Sequence, residues 1–275
     1  MGSFEELQAL MLKYRFRPEK KHSQYFCINE ALLKFMVMRA KLSSSDVVLE
    51  VGPGAGFLTK FLLEKCKVVA VDIDESMIEV LMSEFKKEIS EKKLKLIHGD
   101  VLEQDFNELG ITKIVSLPPY HISTALVTKI ISSGIKKSII VLDRGFVQKL
   151  TAFEGLSEYG WLSVFANANT KIEILEENIE ASSFFPNPNC LSALVEMDFK
   201  ELDNSDEFLF FLKELFRHKN KDLSRALKQA YPFLENKLKI KGLEKKIGSI
   251  KTREKKLYLH TPQEMEKIFK ILIKK

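Results

Sequence analysis

A chain of 275 residues, 45% apolar and 29% charged, can bury one medium core and a smaller one beside it. It has no apolar run of about eighteen residues, so no membrane-spanning helix is expected, and residues 1–16 carry Glu5, Glu6 and Lys13 where a secretory signal would be continuously apolar. Cys27, Cys66 and Cys190 are far apart and lack the spacing of a metal site or a disulfide framework, so neither is expected and a reducing cytoplasm is the default location.

The net charge of +5 is modest but unevenly spread. Fourteen Lys or Arg and four Asp or Glu lie between Arg217 and Lys256. A second basic cluster, Lys13, Arg15, Arg17, Lys20 and Lys21, lies near the start. Basic stripes at both ends of a chain suit a polyanionic partner, although lysine-rich helix faces also serve solubility alone.

In chain order, Phe4, Leu7, Leu10, Met11 and Tyr14 fall on one face of a first helix. An apolar strand at 47–51 runs into Gly52-Pro53-Gly54-Ala55-Gly56, and a helical pattern follows with Phe57, Leu58, Phe61 and Leu62. Glycines here let the backbone turn tightly and approach a ligand, and the helix behind them offers free N–H groups. The next strand, 68–72, ends in Asp72-Ile73-Asp74, about twenty residues on, where a carboxylate can take both hydroxyls of a ribose. The spacing Gly-x-Gly-x-Gly differs from the pyrophosphate fingerprint Gly-x-Gly-x-x-Gly, so adenosine without a pyrophosphate fits better. S-adenosylmethionine is such a ligand.

A third strand, 94–98, ends in Gly99-Asp100-Val101, and a fourth, 113–116, ends in Leu117-Pro118-Pro119-Tyr120. Four successive strands with polar or special-backbone ends describe one cleft at the carboxyl edge of a parallel sheet. A fifth strand is expected at 138–142. Two more, at 170–175 and 191–198, lack a helix-length spacer and are expected as an antiparallel edge pair. A polar break at 202–205 precedes Phe208, Phe211, Leu212 and Leu215 at helical spacing, further helices near 223–230 and 237–243, and a last helix from Pro262 after a Thr261 cap. The expected architecture is an α/β, doubly wound, Rossmann-like sheet over residues 1–200, with a small helical domain over 201–275.

Several strings make the resemblance specific. Gln24-Tyr25-Phe26-Cys27-Ile28, led by Ser23, is similar to a Gly-Gln-x-Phe-Leu lead-in. Tyr159-Gly160-Trp161-Leu162-Ser163-Val164 and Phe184-Phe185-Pro186-Asn187-Pro188-Asn189-Cys190-Leu191-Ser192 complete the set, the last resembling Phe-x-Pro-x-Pro-x-Val-x-Ser. Over 20–200, and more loosely to the C-terminus, the chain resembles the ribosomal RNA adenine dimethyltransferases. That resemblance implies S-adenosylmethionine-dependent dimethylation of adjacent adenosines in small-subunit ribosomal RNA during ribosome biogenesis. The implied enzyme is a cytoplasmic monomer whose partners are that RNA and the pre-ribosomal small subunit, with no membrane.

The resemblance also implies roles. Gly52 and Gly54 would pass under the amino-acid portion of the cofactor. Asp72 would hold the ribose with Ile73 beside it, and Asp100 the adenine amino group with Val101. Gln24, Tyr25 and Cys27 would close over the cofactor, mainly through backbone contacts for Tyr25 and Cys27. Tyr120 would stack on the flipped target base, with Phe184 facing it across the base. Arg217, Lys219, Lys221 and Arg225 would contact phosphates.

Two departures stand out. Leu117 occupies the place of an Asn whose side chain, with a Pro carbonyl, accepts from the target amino group. It therefore borders both the cofactor and the base but cannot accept a hydrogen bond. Pro118 and Pro119 still supply carbonyls, and Ser116 could substitute if the loop were shifted by one. Asp143-Arg144-Gly145 stands where the family usually has Gln and Glu. An alternative expectation is a ribosome-assembly factor that binds RNA and cofactor but methylates slowly or not at all.

Overall fold

The computed structural model describes residues 3–18, 24–200, 205–239, 243–250 and 255–274. Lys20, Lys21 and Ser23, with positions 202–204 of the polar break and 240–242 of an expected helix, lie outside the described residues. The chain forms two compact units, residues 1–147 with 172–199, and residues 148–171 with 200–275.

The first unit begins with helix α1 (Ser3–Tyr14), strand β1 (Phe26–Cys27) and helix α2 (Glu30–Ala40). Strand–helix alternation follows: β2 (Val47–Val51), α3 (Phe57–Leu63), β3 (Lys67–Asp72), α4 (Glu75–Glu84), α5 (Lys86–Ser90), β4 (Leu94–His98), β5 (Lys113–Ser116), α6 (Ser123–Ser133) and β6 (Lys137–Asp143). Helix α7 (Arg144–Thr151) and helix α8 (Trp161–Asn169) lead to β7 (Thr170–Ile179), β8 (Phe184–Phe185) and β9 (Ser192–Phe199). The main sheet has seven strands in the order β4-β3-β2-β5-β6-β9-β7. Strands β2 to β6 pair in parallel, and their near-continuous Val, Leu and Ile content reflects cover on both faces. The order reverses beside β2, so the glycine turn and the loop after β5 leave adjacent strands at the same edge.

Strand β9 runs antiparallel to β6 and lies between β6 and β7, with Asp143 opposite Ser192. Only a 3₁₀ turn (Ala181–Ser183) and the short β8 separate β7 from β9, too little for an α-helical crossover. Strands β1 and β8 form a separate ribbon, Phe26 opposite Phe185 and Cys27 opposite Phe184. At two residues each, they carry no periodicity that a sequence could show.

The second unit contains α8, α9 (Ser205–Phe216), α10 (Leu223–Leu238), α11 (Leu243–Ser249) and α12 (Pro262–Ile273). Its core is aromatic. Phe208 lies 5.1 Å from Phe269 and 6.4 Å from Phe165, centroid to centroid. The buried Tyr159 hydroxyl donates to the His260 carbonyl at 2.6 Å. These contacts draw residues 148–171 into the helical unit, where the sequence had suggested a plain division at residue 200. Helix α12 starts as expected: Thr261 and Glu264 cap it reciprocally, with Pro262 in the first turn.

Candidate active site

The glycine turn is tightly fitted. Gly52 and Gly54 have φ of +65° and +54°, the left-handed region that disfavours side chains. A Cβ at Gly52 would lie 3.2 Å from Pro119 Cδ, and one at Gly54 only 2.9 Å from the Phe26 ring. The turn thus touches the loop after β5 on one side and the lead-in strand β1 on the other. Asp72, at the end of β3, accepts from the Gly54 N–H at 3.4 Å and from the Asp74 N–H at 3.0 Å. Burial raises its pKa above the usual carboxylate value, so donor hydroxyls there would stabilise the ionised form. Ile73 beside it is 68% exposed, an apolar side chain free to lie on a ring. Asp100 accepts from the Leu102 N–H at 2.8 Å, and Val101 is buried. Gln24 Nε2 hydrogen-bonds Asp74, tying the lead-in segment to the end of β3. The chemistry of these residues fits the adenosine and amino-acid parts of S-adenosylmethionine: a turn of left-handed glycines without side chains, a carboxylate at the end of β3 that can accept from hydroxyls, and apolar flanks.

The loop after β5 forms the opposite wall. Ser116 is fully buried; its hydroxyl donates to the Val51 carbonyl at 2.8 Å and accepts from the Val51 N–H at 3.1 Å. Its side chain is therefore committed inside the sheet, and the loop is not shifted to bring it into the place of Leu117. Leu117 is half-buried against the core. Pro118 is buried, and the Pro119 carbonyl accepts from the Ile122 N–H at 3.2 Å. The Tyr120 hydroxyl meets the Ser192 hydroxyl in a short hydrogen bond, and burial raises the phenol pKa well above its usual value. The Tyr25 ring lies 6.2 Å from the Tyr120 ring at an interplanar angle of 30°.

Phe184 requires a correction. It is 2% exposed, within the core and opposite Cys27 in the small ribbon, so its ring offers no face to a base. The aromatic residue beside Tyr120 is Tyr25. Cys27 is also buried, and burial pushes its thiol up to about 11, so it is an inert wall at neutral pH.

In the helical unit, Arg217, Lys219, Lys221 and Arg225 all lie on or beside the turn from α9 to α10. Leu257 N–H donates to the Lys221 carbonyl at 2.8 Å and Tyr258 N–H to the Lys219 carbonyl at 3.3 Å, which fixes the turn. Arg217 and Arg225 meet Glu214 and Asp222 at 3.3 and 3.2 Å, Lys219 Nζ donates to the Ser157 carbonyl at 3.2 Å, and Lys221 is exposed. Among the described residues, no three His, Cys, Asp or Glu side chains could hold a metal ion, and no helix is long and apolar enough to cross a membrane.

Two residues of the site escaped the sequence reading. Glu50, 2% exposed beneath the glycine turn, accepts from the Thr59 hydroxyl at 2.7 Å; burial, with the Asp72 charge adding to it, pushes its carboxyl up to about 8. A charged residue inside an otherwise apolar strand was the available signal. Ser192 is the other. Its partner Tyr120 is distant in sequence, and nothing local shows the bond.

A glycine turn against a Pro-Pro-Tyr loop, with an acidic residue at or just beyond the end of each of the two strands that follow, defines a methyltransferase site that uses S-adenosylmethionine. A profile of the ribosomal RNA adenine dimethylases matches residues 15–270, and the chain belongs to that family. It is 32% identical to the probable ribosomal RNA small subunit methyltransferase A of Thermococcus onnurineus, over 96% of each chain. It is 30% identical to the ribosomal RNA small subunit methyltransferase A of Clostridium acetobutylicum, over 80% of this chain and 83% of that one. A dimethyladenosine transferase from Plasmodium falciparum superposes with a TM-score of 0.75 at 27% identity, over 88% of this chain and 95% of that one. The 23S rRNA methyltransferase ErmE shares the fold, with a TM-score of 0.61 at 19% identity over 90% of this chain and 99% of that one.

Proposed function

We propose that the chain transfers methyl groups from S-adenosylmethionine to the exocyclic amino nitrogens of two adjacent adenosines in a small-subunit ribosomal RNA hairpin, two methyls to each, during assembly of that subunit. It does so as a cytoplasmic monomer. The observation that carries this reading is the shared wall. The glycine turn that cradles the cofactor touches Pro119 of the loop that presents Tyr120, with a Gly52 Cβ-to-Pro119 distance of 3.2 Å. Cofactor and base sites are therefore contiguous, which transfer between them requires.

When bound, the cofactor supplies an electrophilic methyl on a sulfonium. Gly52 and Gly54 give its amino-acid portion close backbone approach, Asp72 accepts from both ribose hydroxyls, and Asp100 accepts from the adenine amino group. Gln24, Tyr25 and Cys27 bound the pocket on the lead-in side, while Ile73 and Val101 flank the adenine. The flipped base lies on Tyr120, whose ring is flanked by Tyr25. The amino nitrogen is a weak nucleophile because its lone pair is delocalised into the ring. The Pro118 carbonyl binds one of its hydrogens and favours the pyramidal geometry of attack; the Pro119 carbonyl is already engaged. Leu117 keeps the site dry but provides no second acceptor, so chemistry is slower than binding would allow. The basic turn at 217–225 takes phosphates and orients the hairpin.

The test is incubation of undermethylated small subunits with isotopically labelled cofactor, followed by mass spectrometry of the RNA. Two methyls on each of two neighbouring adenosines are expected. Absence of label from small-subunit RNA would reject the proposal.

A further inference from the structure

The strand pair that anchors Tyr120 is followed by a loosely paired cation, Arg144. Arg144 opens α7 directly after β6, and its backbone N–H donates to the Leu191 carbonyl at 3.0 Å. The preceding residue, Asp143, stands opposite Ser192, which fixes the Tyr120 hydroxyl. Arg144 is thus one residue beyond the strand pair that holds the base-stacking ring. Its Nε is buried and has no hydrogen-bond partner among the described residues. Its Nη2 faces Glu177 at 3.6 Å, beyond hydrogen-bond length, and that carboxylate is 54% exposed. Asp143 offers no compensation, since its carboxylate accepts from the Phe146 N–H at 2.8 Å and is hydrogen-bonded with Cys190.

The guanidinium is thus only loosely held: its side chain is 37% exposed, and the carboxylate it faces lies beyond hydrogen-bond length, so a better-matched anion can take its place. The exposed end of the guanidinium carries its two Nη groups in one plane, a fork that matches two oxygens of one phosphate. A nucleotide whose base lies on Tyr120 must leave its sugar and phosphates at this rim, because the backbone cannot follow the base into the cleft.

We infer that Arg144 takes a backbone phosphate adjoining the target adenosine, and that Glu177 holds the guanidinium loosely until RNA displaces it. The inference rests on the RNA-methylating reading above. Arg144 is a positioning residue: it fixes where the nucleotide enters without touching the reacting atoms. An exposed pair such as Arg144–Glu177 contributes little, so exchanging it for a phosphate is favourable.

The experiment compares wild type with Arg144→Gln, Arg144→Lys and Glu177→Gln, all as full chains. RNA affinity is measured on a small-subunit hairpin across a salt series, and cofactor affinity and Tm are measured alongside. Arg144→Gln should weaken RNA binding about tenfold and lower the slope of log Kd against log salt by about one. Arg144→Lys should keep the slope while losing part of the affinity, because the charge remains and the fork does not. Glu177→Gln should tighten RNA binding. A hairpin bearing one neutral methylphosphonate beside the target adenosine should bind wild type and Arg144→Gln alike.

Cofactor affinity and Tm should stay at wild-type values in every variant. A wild type that methylates the RNA while Arg144→Gln binds it with unchanged affinity and slope overturns the assignment and leaves the proposed reaction standing. Equal losses of RNA affinity, cofactor affinity and Tm in both Arg144 variants overturn it as well, because they show a purely structural arginine. A wild type that neither binds nor methylates the RNA rejects the underlying reading, and the assignment with it.

Discussion

The two walls of the proposed cleft are built by different means. The cofactor wall is mostly backbone: two left-handed glycines, a carboxylate held by N–H groups, and a lead-in strand packed against the turn. The target-base wall is mostly side chains drawn from distant places, with Tyr120 from one loop, Tyr25 from the lead-in and Ser192 from β9. Backbone walls tolerate little change at their glycines and leave few side chains to vary. Side-chain walls allow replacement, and it is there that the sequence resemblance puts the two expected departures, Leu117 and Asp143-Arg144-Gly145.

The largest expected effect tests the rigidity of the first wall. Gly54→Val forces a β-branched residue into φ +54° and drives its Cβ toward the Phe26 ring, 2.9 Å away. Cofactor affinity should fall by about a hundredfold or more, as a few kcal/mol of strain and clash imply. Calorimetry with S-adenosylmethionine or its demethylated product checks this; affinity within about threefold of wild type would show that the turn yields readily.

The second prediction has the opposite sign. Leu117→Asn restores a second acceptor beside the target amino group and should raise the single-turnover rate by up to about a hundredfold. Cofactor affinity should change little, since the contact strengthens as charge develops. Because Ser116 is bonded both ways to Val51, Ser116→Ala should act through sheet stability and cofactor geometry. If Leu117→Asn leaves the chemical step unchanged, the Pro118 carbonyl and Tyr120 suffice and this side-chain position does not limit the rate.

The same contrast explains what the sequence made legible. The glycine turn, Asp72, Asp100 and the Pro-Pro-Tyr loop each follow a strand by one or two residues, so local order in the chain is also spatial order at the sheet edge. The parallel strands and their boundaries followed from the same alternation. Phe184 was misassigned because a motif places a residue near a site but does not set its burial; a two-residue ribbon with Cys27 turned it inward. Tyr25, Ser192 and Arg144 were visible as residues but not as partners, because each acts through a contact made across the fold. Residues 148–171 joined the helical unit through Tyr159 and Phe165, contacts that a linear reading cannot supply.

The third prediction concerns the carboxyl beneath the first wall. Glu50 has its pKa raised from 4.5 to about 8, chiefly by burial, and the Asp72 charge pushes it in the same direction. The folded protein therefore holds a proton that the unfolded chain releases, so this group's contribution to stability declines as pH rises from about 4.5 toward about 8. Glu50→Gln keeps an acceptor for the Thr59 hydroxyl and has no proton to lose. Thermal melts from pH 6 to pH 8 should show the variant gaining on wild type by about 2 kcal/mol across that range. Parallel melting curves would show that Glu50 is solvated enough to ionise normally.

The smallest effect probes how firmly the second wall is fixed. The Ser192 hydroxyl anchors the Tyr120 ring by its far end, and Ser192→Ala removes that anchor while leaving both strands paired through the backbone. One such bond contributes about 1 kcal/mol net, so methylation should slow about fivefold. The loss should appear in the chemical step, because a ring free to rotate holds the base less well in line with the methyl group. Cofactor affinity, set by the other wall, should not move. Tyr120→Phe removes the other half of the same bond while keeping the stacking face, so it should cost about as much, and the double variant little more than either alone. Additive losses would mean that the hydroxyls act separately. A fall in cofactor affinity equal to the fall in rate would mean that the two walls are one rigid structure, and that their different construction has no functional consequence.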